Sequence, residues 1–404
     1  MKQCIRASNT AHPETRLFTH CQRECYKCSQ ARLSTSRLIS RVRLRREMLR
    51  IAIAAAAAHA AAPPTTMRQV RTTGPCAAPF VDCVHLRMVA VPKVGHGVAL
   101  IRVNATSVNP SDVDEVEGGA CTVGRCGADV SGTVVQCDDC SRINVGDEVW
   151  TLGTGAYSDY VAVAETSIGL KPSISHLEAG TIPEVGLTSL MSLKRTASEP
   201  GTPLPKGSPW TKGNLTVVIT AGAGGTGSIG IQLAKAWGAA HIATSASGDA
   251  SINFVKSLGA THVVDYKQVD LFGTLPDDSV DIVYDNYGAE GTADKAMHAI
   301  RPGGTYLLLP HGECFTKKTQ GPPCLSANPK PGVRQLNYAT GEEFEAFALE
   351  ALDELAALVR SGGVRATVDR SFSLEDAALA FNYSAGSGAG GVSDHVGKIS
   401  ITVS

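Results

Sequence analysis

Leu-Thr-Val-Val-Ile-Thr at residues 215–220 is followed directly by Ala-Gly-Ala-Gly-Gly-Thr-Gly at residues 221–227, and this stretch decides the fold. The continuous apolar run predicts a strand that is buried on both faces. After the turn, Gly227–Trp237 has the periodicity of an amphipathic helix that ends before Gly238. The order of strand, glycine-rich turn and helix is typical of a dinucleotide site, because glycine lets the backbone approach a pyrophosphate at the helix N-terminus. A turn that merely needs positive φ angles is the alternative.

The chain on the C-terminal side of this turn alternates between predicted strands and helices. Strands are expected at His241–Ser245, His262–Val264, Asp281–Tyr284 and Thr305–Leu309, with helices at Ser251–Leu258 and Ala293–Ile300. Apolar strands that alternate with helices predict a parallel, doubly wound sheet, hence an α/β fold. Farther along, helices are expected at Glu342–Arg360 and Leu374–Phe381, and a last strand at Lys398–Val403.

The chain on the N-terminal side of the turn has a different pattern. Strands are expected at Val98–Val108, Asp129–Val135 and Tyr157–Ala164, and Asn109–Asp112 (Asn-Pro-Ser-Asp) is predicted to be a turn. One helix is expected at Glu178–Leu193, interrupted at its proline. These short pieces predict a β lobe that precedes the parallel sheet.

The overall composition sets broad limits on function. With 404 residues the chain is expected to hold two to three domains. The formal net charge is −1, so nothing points to a nucleic-acid partner or a membrane surface. The alanine-rich run Ala54–Ala62 is shorter than the roughly 20 residues that span a bilayer, and we predict no transmembrane segment.

Residues 1–66 form a basic leader whose acids are limited to Glu14, Glu24 and Glu47. A mitochondrial or plastid transit peptide fits this composition, and a signal peptide that starts at Met48 fits the short apolar run. Translation from Met67 is the third interpretation. We therefore expect a mitochondrial or plastid protein, with a cytoplasmic one as the alternative.

The end of the second strand of the dinucleotide unit indicates the cofactor. NAD enzymes place an acid there to bind the ribose 2′-hydroxyl. Residues 241–247 instead read His-Ile-Ala-Thr-Ser-Ala-Ser, with hydroxyls and no carboxylate. A 2′-phosphate would be repelled by an acid, so this strand end favours NADP(H). Asp249 lies slightly later and is the candidate acid if the cofactor is NAD.

A series of motifs occurs in order along the chain. The motifs are Asn109–Asp112, the Gly-Asp-Glu-Val turn at 146–149, Gly186–Thr188, the turn at 221–227, Leu258–Ala260, Asp265-Tyr266, Asp285–Gly288, Pro302–Gly304 and Gly397–Ile399. From about Met67 onward the chain thus resembles the quinone oxidoreductase and enoyl reductase branch of the medium-chain dehydrogenase/reductase superfamily, with zeta-crystallin as a typical member. The resemblance implies a GroES-like catalytic domain at 67–190, a Rossmann NADP-binding domain at 191–335, and a C-terminal segment, 336–404, that returns to the catalytic domain.

The same resemblance implies a set of site residues. The cofactor-binding positions would be Thr188, Ala223, Gly224, Gly225, Thr226, Gly227, Ser247, Tyr266 and Asn286. Independently of the resemblance, a reduction without zinc needs hydrogen-bond donors for the acceptor; Asn109 and Ser111 are the candidates, and Tyr157 is the candidate proton donor. The alternative for Asn109 is a residue that caps the bend at Pro110, and the alternative for Tyr157 is a half-buried strand aromatic.

We expect no catalytic zinc. Alcohol dehydrogenases of this superfamily hold zinc with a Cys and a Gly-His-Glu motif, whose positions here read Asn109 and Gly127-Ala128-Asp129. A metal knuckle at His20, Cys21, Cys25 and Cys28 lacks a second ligand pair at finger-like spacing. The remaining cysteines are expected to be reduced and structural, with a metal or redox pair at Cys137 and Cys140 as the alternative.

These expectations combine into an NADPH-dependent, zinc-free oxidoreductase that reduces a small quinone or conjugated carbonyl. Two alternatives remain open: an NADPH-binding sensor or structural protein with little turnover, and a zinc alcohol dehydrogenase with atypical ligands. We expect a small-molecule substrate, no nucleic acid, and a homodimer as the candidate assembly. The loops at 195–213 and 310–331 are expected to set substrate specificity.

Overall fold

The computed structural model describes residues 63–199, 201–211, 213–310, 325–338, 344–388 and 395–403. The predictions for residues 1–62, including the metal knuckle and the transit peptide, lie outside the described residues. So do residues 311–324 of the predicted specificity loop, with Cys314 and Cys324. In the part that is described, no helix has both the length and the apolar character to cross a membrane.

The first sheet is a seven-stranded, mostly antiparallel sheet in the order β14-β15-β3-β4-β5-β7, with β6 paired to β3. Its strands are β3 (Val98–Val108), β4 (Asp129–Cys137), β5 (Glu148–Leu152), β6 (Tyr160–Ala164), β7 (Gly169–Leu170), β14 (Val368–Ser373) and β15 (Lys398–Thr402). A hairpin of β1 (Thr66–Thr72) and β2 (Val84–Ala90) is antiparallel. Because β15 pairs with β3, a C-terminal strand completes the sheet that the strands from Val98 onward form.

The second sheet has six strands in the order β10-β9-β8-β11-β12-β13, and every neighbouring pair is parallel. Its strands are β8 (Thr216–Ile219), β9 (His241–Ala246), β10 (His262–Asp265), β11 (Val280–Asp285), β12 (Ile300–Leu308) and β13 (Arg334–Asn337). The strand order reverses at the pair β8 and β11, and such a switch point leaves a crevice at the carboxyl ends of the strands. This arrangement confirms the predicted fold class, a GroES-like β domain with a doubly wound parallel sheet.

Eight α-helices lie in the described residues. They are α1 (Pro110–Gly118), α2 (His176–Ala179), α3 (Pro183–Arg195), α4 (Gly225–Ala236), α5 (Asp249–Leu258), α6 (Thr292–Ala296), α7 (Phe344–Arg360) and α8 (Ala377–Gly388). Proline opens α3 after α2 has ended, as the predicted interruption requires, because proline lacks the N–H that an interior helical position needs. The domain boundaries that the sequence predicts stay a prediction.

Two elements differ from the prediction. Asn109–Asp112 is not a free turn but the beginning of α1, because Pro110 occupies the first helical position and Asn109 and Asp112 form a capping box. The predicted helix Ala293–Ile300 ends at Ala296, and Ile300 already begins β12. Gly303 and Gly304 therefore lie within a strand rather than after a helix.

The cysteines also differ from the prediction. Three disulfides join Cys76 to Cys83, Cys121 to Cys126 and Cys137 to Cys140. The expectation of reduced, structural thiols was wrong for these pairs, because each pair is brought together by a tight local segment. All of them lie on the β-rich side of the chain that contains β1–β4.

Candidate active site

The glycine-rich turn between β8 and α4 has no room for side chains at two of its positions. A Cβ on Gly222 would lie 2.1 Å from Thr244 Oγ1, and one on Gly227 would lie 2.2 Å from the carbonyl oxygen of Ala221. Ala221 itself has a φ of 50°, in the left-handed region that a non-glycine residue enters at a cost. The turn is thus as tight as the dinucleotide interpretation requires.

The N-terminus of α4 is open for a ligand. Gly224 is its N-cap, and no side chain caps the helix there. The amides of Gly225, Thr226 and Gly227 occupy the first positions, whose N–H groups have no partner within a helix. Beside Gly224 a Cβ would meet nothing closer than the Ala221 carbonyl oxygen at 3.4 Å. These residues therefore fit a diphosphate, which binds to such uncapped amides and to the positive end of the helix dipole.

The end of β9 carries hydroxyls, as predicted, but they are not equivalent. Thr244 is buried and donates to the carbonyl oxygen of Ile219, so its hydroxyl holds two strands together. Ser247 is half-buried, and Tyr266 is 54% exposed after β10. These two residues are accessible to a ligand at the strand end, where residues 241–247 carry no carboxylate.

Asn286 lies at the switch point of the parallel sheet, directly after β11. Its backbone N–H donates to Thr220 Oγ1 at 2.8 Å, which fixes it next to the glycine-rich turn. Its side chain is buried, and its Oδ1 accepts no hydrogen bond from any described residue. A buried acceptor without a donor is uncommon, and a cofactor amide or hydroxyl in the crevice would satisfy it. The position therefore fits the predicted cofactor contact.

Helix α3 links the two sides of the site. Thr188 is buried in it, and the neighbouring Ser189 donates to the carbonyl oxygen of Thr226 at 2.8 Å. Val185 lies against the turn, since a Cβ on Gly225 would be 2.8 Å from Val185 Cγ1. The first turn of α3 therefore lines the approach to the dinucleotide turn.

Asn109 is 2% exposed and fully hydrogen-bonded. Its Nδ2 donates to Asp112 Oδ2 at 3.1 Å and to Asp129 Oδ2 at 2.9 Å, and its Oδ1 accepts from Lys398 Nζ. The capping role at the Pro110 bend is thus present. The substrate-facing role stays a prediction, and it would require the carboxamide to exchange one of these partners.

Tyr157 is fully buried rather than half-buried. Its hydroxyl donates to Asp112 Oδ2 at 2.8 Å, and its ring packs edge-on against Phe381. Burial, together with the charge of Asp112, holds the pKa of Tyr157 well above its usual value. This environment opposes the predicted role of Tyr157 as a proton donor. No other observation on the described residues supports that role. Ser111, by contrast, is exposed in the first turn of α1.

Lys398 is a residue of the candidate site that the sequence analysis did not single out. It begins β15, is 6% exposed, and its Nζ donates to the carbonyl oxygen of Val108 at 2.9 Å and to Asn109 Oδ1. Its Nζ also lies 3.7 Å from Asp129 Oδ2. A Cβ on Gly225 would be 3.0 Å from Lys398 Cδ, so the lysine stem passes beside the dinucleotide turn. The only sequence signal was its place in the Gly397–Ile399 motif.

Buried carboxyl groups surround this ammonium. Asp129 is 0% exposed and also accepts from Ser107 Oγ at 2.5 Å and from the backbone N–H of Glu184 at 2.7 Å. Burial raises the pKa of Asp112 to about 6, that of Glu115 to about 7 and that of Glu184 to about 8. In each case removal from water disfavours the charged carboxylate. The site therefore holds a fixed cation beside acids that titrate near neutral pH.

The residues present do not fit a catalytic zinc ion. Ala128 has no ligand atom, and the acceptor oxygen of Asn109 is already bound to the Lys398 ammonium. That ammonium is a cation at the place between Asn109 and Asp129 where a metal would need to sit. In the described ranges, no group of three or more His, Cys, Asp or Glu could hold a metal ion.

Comparisons with known proteins agree with this geometry. The family description "Alcohol dehydrogenase GroES-like domain" matches residues 95–173, and "Zinc-binding dehydrogenase" matches residues 258–391. The chain is 29% identical over 324 residues to the mitochondrial NAD(P)H oxidoreductase RTN4IP1 of Mus musculus, covering 70% of this chain and 77% of that protein.

Two further proteins extend the comparison. The chain is 29% identical over 325 residues to the 2-methylene-furan-3-one reductase of Solanum lycopersicum, covering 75% of this chain and 73% of that protein. The solved structure of the quinone oxidoreductase from Coxiella burnetii superposes with a TM-score of 0.67 at 24% identity, covering 84% of this chain and all of that one, which shows the shared fold.

Proposed function

Because the chain belongs to the medium-chain dehydrogenase/reductase superfamily, we propose that it is an NADPH-dependent oxidoreductase that reduces quinones or conjugated carbonyls. The observation that carries the proposal is the approach of Lys398 to the dinucleotide turn. The backbone N–H of Gly397 donates to the carbonyl oxygen of Ala223 at 2.8 Å, so the first residues of β15 connect the open N-terminus of α4 to the buried cluster at Asn109.

The residues divide into two groups by role. Ala223, Gly224, Gly225, Thr226 and Gly227 would bind the diphosphate, Ser247 and Tyr266 the adenosine phosphate, and Thr188 and Asn286 the nicotinamide side. When bound, the nicotinamide supplies a hydride to the substrate. Reduction of a conjugated ketone then leaves an oxyanion, and preorganised donors stabilise such a charge most effectively in a site shielded from water. We assign this task to the Lys398 ammonium and to the exposed hydroxyl of Ser111.

The direct test is NADPH oxidation with a panel of enones and quinones, followed at the reduced-nicotinamide absorbance band. We expect turnover that survives treatment with a chelator, because the Lys398 ammonium and not a metal supplies the positive charge. Tight NADPH binding without turnover on any acceptor would favour the sensor alternative instead. Activity that is lost on chelation and restored by zinc alone would favour the zinc dehydrogenase.

Replacing Ser247 with Asp tests the choice of cofactor. Charge-assisted hydrogen bonds to a 2′-phosphate contribute about 1.5–3 kcal/mol each, so the wild type should prefer NADPH to NADH by one to several powers of ten. The new carboxylate should weaken NADPH binding through repulsion and affect NADH less. The measurement is the Kd of each cofactor for wild type, Ser247→Asp and the neutral control Ser247→Ala. Equal Kd values in the wild type would contradict the assignment and would make Asp249 the candidate ribose ligand.

Location and assembly belong to the same proposal. Relatives of this chain are named as mitochondrial and chloroplastic proteins, and the basic leader supports import into such an organelle. We further propose that the chain forms a homodimer, and that the boundaries near residues 66, 190 and 335 separate leader, catalytic domain, Rossmann domain and C-terminal segment. Loops 195–213 and 310–331 would then select among substrates of this class.

A further inference from the structure

Glu184 stands apart from the other carboxyl groups of the site. It is the second residue of α3, and its backbone N–H donates to Asp129 Oδ1 at 2.7 Å, which fixes it beside the buried cluster. The next residue, Val185, packs against the dinucleotide turn at Gly225. Glu184 therefore lies between the ion pair of Lys398 with Asp129 and the place where the cofactor binds.

The carboxyl group of Glu184 has no hydrogen-bond partner among the described residues. Pro183 and Val185 are buried, whereas Glu184 is partly exposed. No hydrogen bond from a described residue reaches its carboxyl oxygens, while Asp112 and Asp129 accept several. Carboxyl groups beside a buried ion pair are normally hydrogen-bonded, so one without a protein donor is available to a ligand.

The reduction of a conjugated carbonyl needs a proton donor after the hydride has been transferred. The donor must lose its proton readily near neutral pH. The hydroxyl of Tyr157 is a poor acid here, and the amide protons of Asn109 are bound to Asp112 and Asp129. Burial and the neighbouring charge of Asp129 raise the pKa of Glu184 to about 8, so this carboxyl group carries a proton at neutral pH.

We propose that Glu184 is the general acid that protonates the α-carbon of the reduced substrate. The inference rests on the proposed function. Hydride addition forms a C–H bond at the β-carbon and leaves an enolate. The O–H bond of Glu184 then breaks, its proton forms the C–H bond at the α-carbon, and the carboxylate that remains is reprotonated by water. No oxidant or reductant beyond the cofactor is needed.

The expected pH dependence follows from the charges around Glu184. Asp129 on β4 and Asp112 and Glu115 on α1 raise its pKa, while Lys398 on β15 lowers it. Only the protonated form can donate, so kcat is expected to be constant below the pKa and to fall as pH rises through about 8.

The test compares Glu184→Gln with wild type and with the control Glu117→Gln, an exposed carboxyl group on α1. Glu184→Gln should lower kcat by about 10²–10⁴-fold and remove the fall near the pKa, while the Kd for NADPH changes little. Glu184→Asp keeps a carboxyl group at this position, so it should recover part of the activity and retain the pH dependence. This rescue would show that the low activity of Glu184→Gln does not come from a folding defect.

A second readout separates proton delivery from a structural role. With an α-substituted enone in D₂O, wild type should place deuterium on one face of the α-carbon, and Glu184→Gln should label both faces because solvent then supplies the proton. An unchanged kcat, pH profile and labelling pattern in Glu184→Gln would overturn the assignment. If wild type itself turns over no enone or quinone, the proposed function fails with it. If wild type reduces an enone or a quinone and Glu184→Gln behaves in the same way, the general-acid assignment fails while the proposed function stands.

Discussion

Lys398→Met should destabilise the protein by about 3–5 kcal/mol and reduce kcat/KM by at least a factor of about 100, because one partner of a buried ion pair is removed. Asp129 is 0% exposed and would lose the ammonium that lies 3.7 Å away. The carbonyl oxygen of Val108 and the Oδ1 of Asn109 would lose their donor as well. If the proposed role of Lys398 holds, the same side chain supports both the fold near β15 and the charge at the substrate oxygen.

The measurements for Lys398 are urea unfolding and steady-state kinetics. Lys93→Met is the matched control, because Lys93 is exposed and should change neither quantity. Lys398→Arg keeps the charge but not the compact ammonium, and it should be intermediate in both. An unfolding midpoint and a kcat/KM equal to those of wild type in Lys398→Met would show that the ammonium is dispensable.

Two alanine substitutions in the glycine-rich turn are expected to separate folding from cofactor binding. In Gly227→Ala the new Cβ would lie 2.2 Å from a backbone carbonyl oxygen, so the turn must shift and both stability and binding should be lost. In Gly224→Ala the backbone has a φ of −75° and the nearest atom is 3.4 Å from the Cβ, so the free protein should keep its stability.

Gly224→Ala should nevertheless weaken NADPH binding by about 100-fold, or about 2.7 kcal/mol, because the methyl group takes the space that the diphosphate needs. Calorimetric titration with NADPH and thermal unfolding would be measured on the same samples. NADPH affinity equal to wild type in Gly224→Ala would place the diphosphate elsewhere. A fully stable Gly227→Ala would show that the turn is less constrained than its contacts indicate.

The dinucleotide unit could be predicted from the sequence because its signals are local. An apolar strand, a glycine-rich turn and an amphipathic helix are all visible within about two dozen residues, and the structure places the strand and the helix within two residues of the prediction. Asn109–Asp112 shows the limit of this approach. The same four residues suit a turn or a helix N-terminus, and the burial of Val113 and Val116 on one face decides for the helix.

The buried cluster of Lys398, Asn109 and Asp129 could not be predicted because its contacts are remote in sequence. Lys398 meets Asn109 across 289 residues, and Glu184 meets Asp129 across 55. No periodicity or motif near Lys398 or Glu184 indicates which residue it contacts.

The cysteines were mispredicted for a different reason. Their spacing allowed local pairs, but the argument from the class of protein favoured thiols.

The pairing of β15 with β3 has a consequence for how the chain is made. Ser400 bonds to Thr106, a residue 294 positions earlier, so this edge of β3 has no strand partner until the end of the chain has been synthesised. At about 5–20 residues per second the ribosome needs roughly 15–60 s to cover that distance. The parallel sheet between Thr216 and Asn337 has all its strands by then and can form first. Until then the antiparallel sheet has an unpaired edge at Ala105–Val108 of β3, and unpaired strand edges favour aggregation during synthesis.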